Sequence, residues 1–135
     1  MSDFNKERNE AICAGENALR SLRRAKSSLS SARGWGIYDI LKGKSITGFI
    51  KHSKLNDARA DIEQAKWDIE RFRRELNDLD NLRELNIDVG TLAIFADFVF
   101  DGLIADIYVQ SKIKQALNSV EEAIRQIEDV LRKLR

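Results

Sequence analysis

The sequence predicts an all-α protein: an antiparallel, up-down-up bundle of long helices with coiled-coil seams and a short helical insert between helices 1 and 2. Three observations carry this. Three stretches repeat apolar residues at 3-4 spacing, which keeps one seam of a helix turned toward its partners. No stretch sustains a period of two, the mark of a half-buried strand. The 135 residues contain no proline, and 33% are charged, a composition that suits long helices in water. The length is that of one domain with a core that needs neither disulfide nor metal.

Helix 1 is expected over about 3–33. Its seam is small: Ala11, Gly15, Ala18, Leu22, Ala25, Leu29 and Ala32, with Phe4 in phase ahead of it. Small residues let a neighbouring backbone approach closely. Ser2 or Asp3 can cap the start, and Glu7 and Glu10 lie near the positive end of the helix dipole. Gly34-Trp35-Gly36 reads as its stop. Cys13, the single cysteine, reads as a small buried thiol.

Residues 34–53 read as the insert. Gly34, Gly36, Gly43 and Gly48 punctuate it, yet Ile37, Tyr38, Ile40, Leu41, Phe49 and Ile50 make it too apolar for a solvated loop. Short helices near 37–41 and 46–52 fit the spacing. Helix 2 follows over about 53–85, on the seam Leu55, Ala58, Ile62, Ala65, Ile69, Phe72, Leu76, Leu79. Helix 3 is expected over about 91–134, about 43 residues or roughly 65 Å at 1.5 Å per residue. Its second half carries the seam Ile113, Leu117, Val120, Ile124, Ile127, Leu131, Leu134. Its first half is apolar on nearly every face, as a helix buried on two sides must be.

The same apolar half is the one candidate membrane span. Its eleven Val, Leu, Ile and Phe residues between Val89 and Val109 favour insertion by roughly 3–7 kcal/mol. Asp97, Asp101 and Asp106 oppose it by about 8–10 kcal/mol, so a buried protein helix is expected and not a span. No secretory signal is visible at the start. With the lone cysteine, this favours a cytoplasmic location.

Net charge is +1, but its distribution is lopsided. From Arg20 to Lys54 nine Lys/Arg face a single acid, Asp39, for a balance of +8, and the remainder carries −7. An up-down-up bundle would add Arg132, Lys133 and Arg135 to the insert end, making a basic head and an acidic foot. One reading is solubility and complementary packing between chains. The other is an anion-binding head, formed by Arg23, Arg24, Lys42, Lys44, Lys51 and Lys54, for a lipid surface or nucleic acid. Trp35, Tyr38 and Phe49 beside these lysines are the ingredients of an interfacial segment.

Asp97 and Asp101, four apart, share a helix face. Counting the seam back from Ile113 puts Asp106 at a core position, where an unpaired carboxylate is costly. The expectation is a structural ion pair with Arg71, Arg73 or Arg74, with a carboxylate metal site as the alternative. His52, the only histidine, lies beside Lys51 and Lys54 and reads as a surface or capping residue. No nucleophile–base arrangement, phosphate loop or metal-ligand spacing stands out, so neither an enzyme nor a cofactor is expected. Trp67 falls at the outermost position of its heptad, which implies cover from the insert or from a second chain.

Gly34-Trp-Gly-Ile-Tyr-Asp-Ile-Leu41, Lys51-His-Ser-Lys-Leu-Asn-Asp-Ala58 and Phe98-Val-Phe-Asp-Gly-Leu-Ile-Ala-Asp106 resemble motifs of a group of uncharacterised bacterial helical coiled-coil proteins. The resemblance spans most of the chain and implies a bacterial cytoplasmic origin, with no activity to carry over. The functional expectation is a non-enzymatic, self-associating binding or scaffolding protein. A homodimer is expected through Trp35, Trp67, Phe95, Phe98 and Tyr108, and the alternative is a peripheral anion-binding protein.

Overall fold

The computed structural model describes the backbone of residues 2–42, 45–79, 82–107 and 110–135, and side chains within 5–31, 55–79, 84–90, 92–94, 97–107 and 111–135. It is all-α, with no strand among the described residues. Helix α1 spans Ser2–Lys42 and α2 spans Ser45–Asn77. Two short helices follow, α3 (Leu82–Leu85) and α4 (Val89–Ile94). A π-turn, Phe95–Val99, joins α4 to α5 (Phe100–Asp106). A 3-10 turn, Gln110–Lys112, leads into α6 (Ile113–Leu134).

The seams form the core. All seven seam residues of α2 from Leu55 to Leu76 are buried, and so is Leu79 just beyond its end. So are Ala11, Gly15, Ala18, Leu22, Ala25 and Leu29 of α1. In α6 the seam is buried apart from Ile124, which is partly exposed. The small seam of α1 has the expected effect at Gly15. A methyl group there would stand 2.8 Å from Leu131 Cδ2 and 2.9 Å from Phe72 Cε1, so α2 and α6 both close on that point.

Helix directions follow from the cross-helix pairs. Ser21 donates a hydrogen bond to Asp68, and Ser28 donates one to Asp61 at 2.9 Å, so α1 and α2 run in opposite directions. Lys26 faces Glu121 at 3.7 Å and Arg135 faces Glu16 at 2.8 Å, so α6 also runs against α1. Between them, Arg73 faces Asp97 at 3.8 Å and Lys66 faces Asp101 at 2.5 Å, which sets the α4–α5 arm against α2. The order is therefore up-down-up-down.

That order corrects the expected helix 3. A straight helix over 91–134 would part its ends by roughly 65 Å. Instead Lys133 Nζ donates to the carbonyl of Asn86 at 2.8 Å, because the chain reverses between Ile107 and Ile113. The reason lies in the phase of the seam. An unbroken helix in phase with the α6 seam would carry Asp106 into the core, where an unpaired carboxylate is costly. With the turn in place, Asp106 is exposed. The π-turn has a similar logic. Leu92 and Phe100, eight residues apart, would sit about 80° apart on a regular helix. One extra residue in the turn removes about 100°, and both are buried on one face.

The other helix bounds also shift. Gly34 and Gly36 do not stop α1, which continues to Lys42, and the expected insert 34–53 becomes the end of α1 and the start of α2. Glycine lowers helix stability by about 0.5–1 kcal/mol without forbidding the conformation. Helix α2 ends at Asn77, eight residues earlier than expected. Asn77 and Asp78 compete with helical hydrogen bonding through their own side chains, and the Leu79 amide closes the turn on Leu76 O at 3.0 Å. Asn86 then takes a left-handed φ of 58° after α3, a conformation asparagine tolerates. The C-terminal Arg135 lies against Glu16 and Lys133 against Asn86, so these charges do not join residues 34–53 as a head. Cys13 is exposed and not buried, since it lies between the seam positions Ala11 and Gly15 and points away from both.

Gly15→Val places two methyl groups where α2 and α6 meet. It is expected to lower the unfolding free energy by about 1–3 kcal/mol, read from urea denaturation. An unchanged midpoint would mean that the three helices are not in contact there.

Candidate interaction surface

Two acidic residues of the α4–α5 arm tie it to α2. Asp97 and Asp101 share a face, as their spacing predicts, and meet Arg73 and Lys66. Arg73 also pairs with Glu70 at 2.6 Å. The Lys66 Nζ donates to Asp101 Oδ1, and this hydrogen bond raises the lysine above its ordinary pKa of 10.5. Partial desolvation opposes the shift, while the charges of Asp101, Asp97 and Glu70 support it. The expected partner of these basic residues, Asp106, has no ion pair among the described residues; Arg71 and Arg74 are exposed, and Arg73 takes Asp97 in its place. Nor do three or more His, Cys, Asp or Glu side chains converge to hold a metal among the described residues.

With Asp97 and Asp101 turned to α2, the next residue round the arm is thrown outward. Phe98 is 74% exposed, and Ile94, one turn earlier, is 56% exposed. Trp67, at the outermost heptad position of α2, is 65% exposed. The candidate interface therefore narrows to Trp67 and Phe98, joined by Ile94. Trp35, Phe95 and Tyr108 lie outside the described side chains.

Phe98 stands at the edge of a groove of about 300 Å³ between α5 and α6. The α4–α5 arm packs on α2 and α6 packs on α1, so the arm and α6 are held apart by their own partners. Val99, Leu103, Ile107 and Ile113 make the groove apolar. Gly102, Ala116 and Ser119 supply its small lining residues, and a Cβ added at Gly102 would meet nothing within 4 Å among the described residues beyond its own helix backbone and chain neighbours. Asp106 and Lys112 stand at its polar edge. The sequence pointed to Phe98 but not to Gly102, Ala116, Ser119 or Lys112, which come together only once the chain reverses after Ile107. A glycine inside an apolar helical run was the one local signal of them.

Basic side chains gather elsewhere. Arg20 and Arg23 of α1 and Arg132 and Arg135 near the end of α6 line a groove of about 450 Å³, with Glu16 and Glu128 among them. Arg24, also expected in the anion-binding head, lines a different groove with Ser21 and Asp68. The side chains of Lys42, Lys44, Lys51 and Lys54 lie outside the described residues. No described helix is long and apolar enough to cross a membrane. No family model, curated protein or solved structure matches the chain.

Lys66→Met tests the tie between the arm and α2. A lysine whose pKa is raised on folding contributes stability that is complete below its unfolded value, about 10.4, and is lost as pH rises through the folded one. The stability gap between wild type and variant should stay constant from about pH 7 to 9 and close above about pH 10.4, measured by urea denaturation. A gap that is absent at neutral pH would show that the pair contributes nothing.

Proposed function

We propose that the chain is a non-enzymatic, self-associating helical bundle of the bacterial cytoplasm that acts as a binding or scaffolding module. The observation that carries this reading is the exposure of Trp67, Ile94 and Phe98. Phe98 lines an apolar groove, and exposed apolar side chains of this kind are a usual mark of a protein contact. The bundle supplies its own core along four seams, so these side chains are surplus to folding. A homodimer covers them without a second gene product. Sedimentation equilibrium at micromolar concentration tests the reading. Twice the chain mass is the expected result, and a monomer would overturn it.

A second reading is favoured by the convergence of Arg20, Arg23, Arg132 and Arg135 on one groove. It makes the chain a peripheral anion-binding protein for an anionic lipid surface or nucleic acid, with Lys42, Lys44, Lys51 and Lys54 adding to the attraction. Salt-sensitive co-sedimentation with phosphatidylserine vesicles, beside a mobility shift with duplex DNA, separates the two readings. Binding of either probe that survives Arg23→Glu and Arg132→Glu together would remove the groove from this reading.

A further inference from the structure

We infer that two copies of the chain pair about a two-fold axis through the α5–α6 groove, each copy seating its Phe98 in the groove of the other. This rests on the self-association proposed above and names the surface that carries it. Three observations lead to a second copy as the occupant.

The first is that the projection and the recess belong to one patch. Phe98 is 74% exposed at the edge of a groove of about 300 Å³. A two-fold interface needs a surface that complements itself, and a knob beside its own kind of hole meets that need.

The second is Gly102. Glycine weakens a helix, and two ordinary reasons for tolerating it are missing here. Its backbone is helical, with no positive φ, and among the described residues nothing beyond its own helix backbone and chain neighbours lies within 4 Å of where a Cβ would stand. Gly15 shows the contrast, since its own neighbours leave no room for a side chain. The space at Gly102 is room for something from outside the chain. Ala116 and Ser119, which line the groove from α6, are small residues too.

The third is charge. Asp106 on the α5 side and Lys112 on the α6 side are exposed charges that line the groove where the chain reverses, and neither has an ion-pair partner among the described residues. A two-fold axis running along the groove lays α5 of one copy over α6 of the other, which sets Asp106 of each copy against Lys112 of its partner. The patch is thus neutral and matched to itself, which steers the register of the pair. The other large grooves do not offer this. The arginine-lined groove carries four guanidinium groups against two carboxylates; Arg135 is paired with Glu16 and Arg132 with Asp129, and Arg20 and Arg23 leave it net basic and not matched to itself. The α1–α2 groove is larger, but most of the side chains that line it are charged or amide, among them Lys6, Glu10, Arg71 and Glu75, and among the described residues no exposed aromatic stands beside it to fill a copy of itself.

Sedimentation equilibrium on the full chain decides the matter, with circular dichroism as the check on folding. A Cβ at Gly102 has open space among the described residues, so Gly102→Leu should fold, with an unchanged circular dichroism spectrum, and dimerise at least about tenfold more weakly because the leucine occupies the recess. Phe98→Glu should act likewise, because that side chain is exposed in the monomer. Asp106→Lys and Lys112→Asp should each weaken the dimer, and the two together should return its dissociation constant to near the wild-type value. A wild-type monomer would overturn the self-association itself and leave the groove to a helix of another protein. A wild-type dimer unmoved by Gly102→Leu and Phe98→Glu would overturn the groove while self-association stands. Single charge variants that weaken the dimer with no recovery in the pair would overturn the two-fold register.

Discussion

Everything in this bundle depends on how closely α2 and α6 can approach α1. The seam of α1 is built from alanines around Gly15, and at that glycine Phe72 and Leu131 arrive from two sides. A larger seam would push both neighbours outward. The ring of Phe72 is fully buried only because Gly15 has no side chain to displace it. Dispersion contacts fall away over a fraction of an ångström, so this close fit is where packing energy is concentrated. The α4–α5 arm, by contrast, reaches α2 partly through Lys66 and Arg73, whose ion pairs are half open to water and weak. Its apolar anchors, Leu92, Phe100, Leu103 and Ile107, supply the rest.

Aspartates shape the second half of the chain as strongly as its apolar residues do. Three of them lie within a run otherwise apolar enough to be weighed as a membrane span. Each is kept wet in a different way: Asp97 and Asp101 by facing basic residues at the edge of α2, Asp106 by the end of the helix itself. The π-turn between Phe95 and Val99 adjusts the phase so that the apolar residues can reach the core at the same time. Two departures from regular α-helix thus resolve one conflict between burial of side chains and hydration of carboxylates.

The residues legible in the sequence are those governed by local period. The seams of α1, α2 and α6 follow from the spacing of apolar residues alone, since a period near 3.6 reports which face is buried. Turns between helices are harder to read. Gly34 and Gly36 look like a stop but stand inside a helix, whereas Ile107 to Lys112 contains no glycine or proline and holds the reversal. The hydration of Asp106 decides the second case, and that depends on what packs around the helix, not on local propensity. The same reversal hides the groove. Gly102 and Ala116 are 14 residues apart and face one another only because the chain turns back. Trp67 and Phe98 can be singled out because an outermost heptad position and an over-full apolar face are both visible as pattern.

The two serine–aspartate bonds between α1 and α2 carry a consequence for how the hairpin finds its alignment. Ser21 and Ser28 are seven residues apart, and so are Asp61 and Asp68. A slide of one heptad would therefore bring Ser28 opposite Asp68 and keep one such bond. These polar rungs are consistent with more than one alignment, like evenly spaced teeth on two racks. What distinguishes the alignments is bulk. In the slid arrangement Phe72 would face Leu22 where it now faces Gly15, and the ring would have no place to go. A single missing side chain adds to the selection between alignments that the serine–aspartate bonds separate by only one bond.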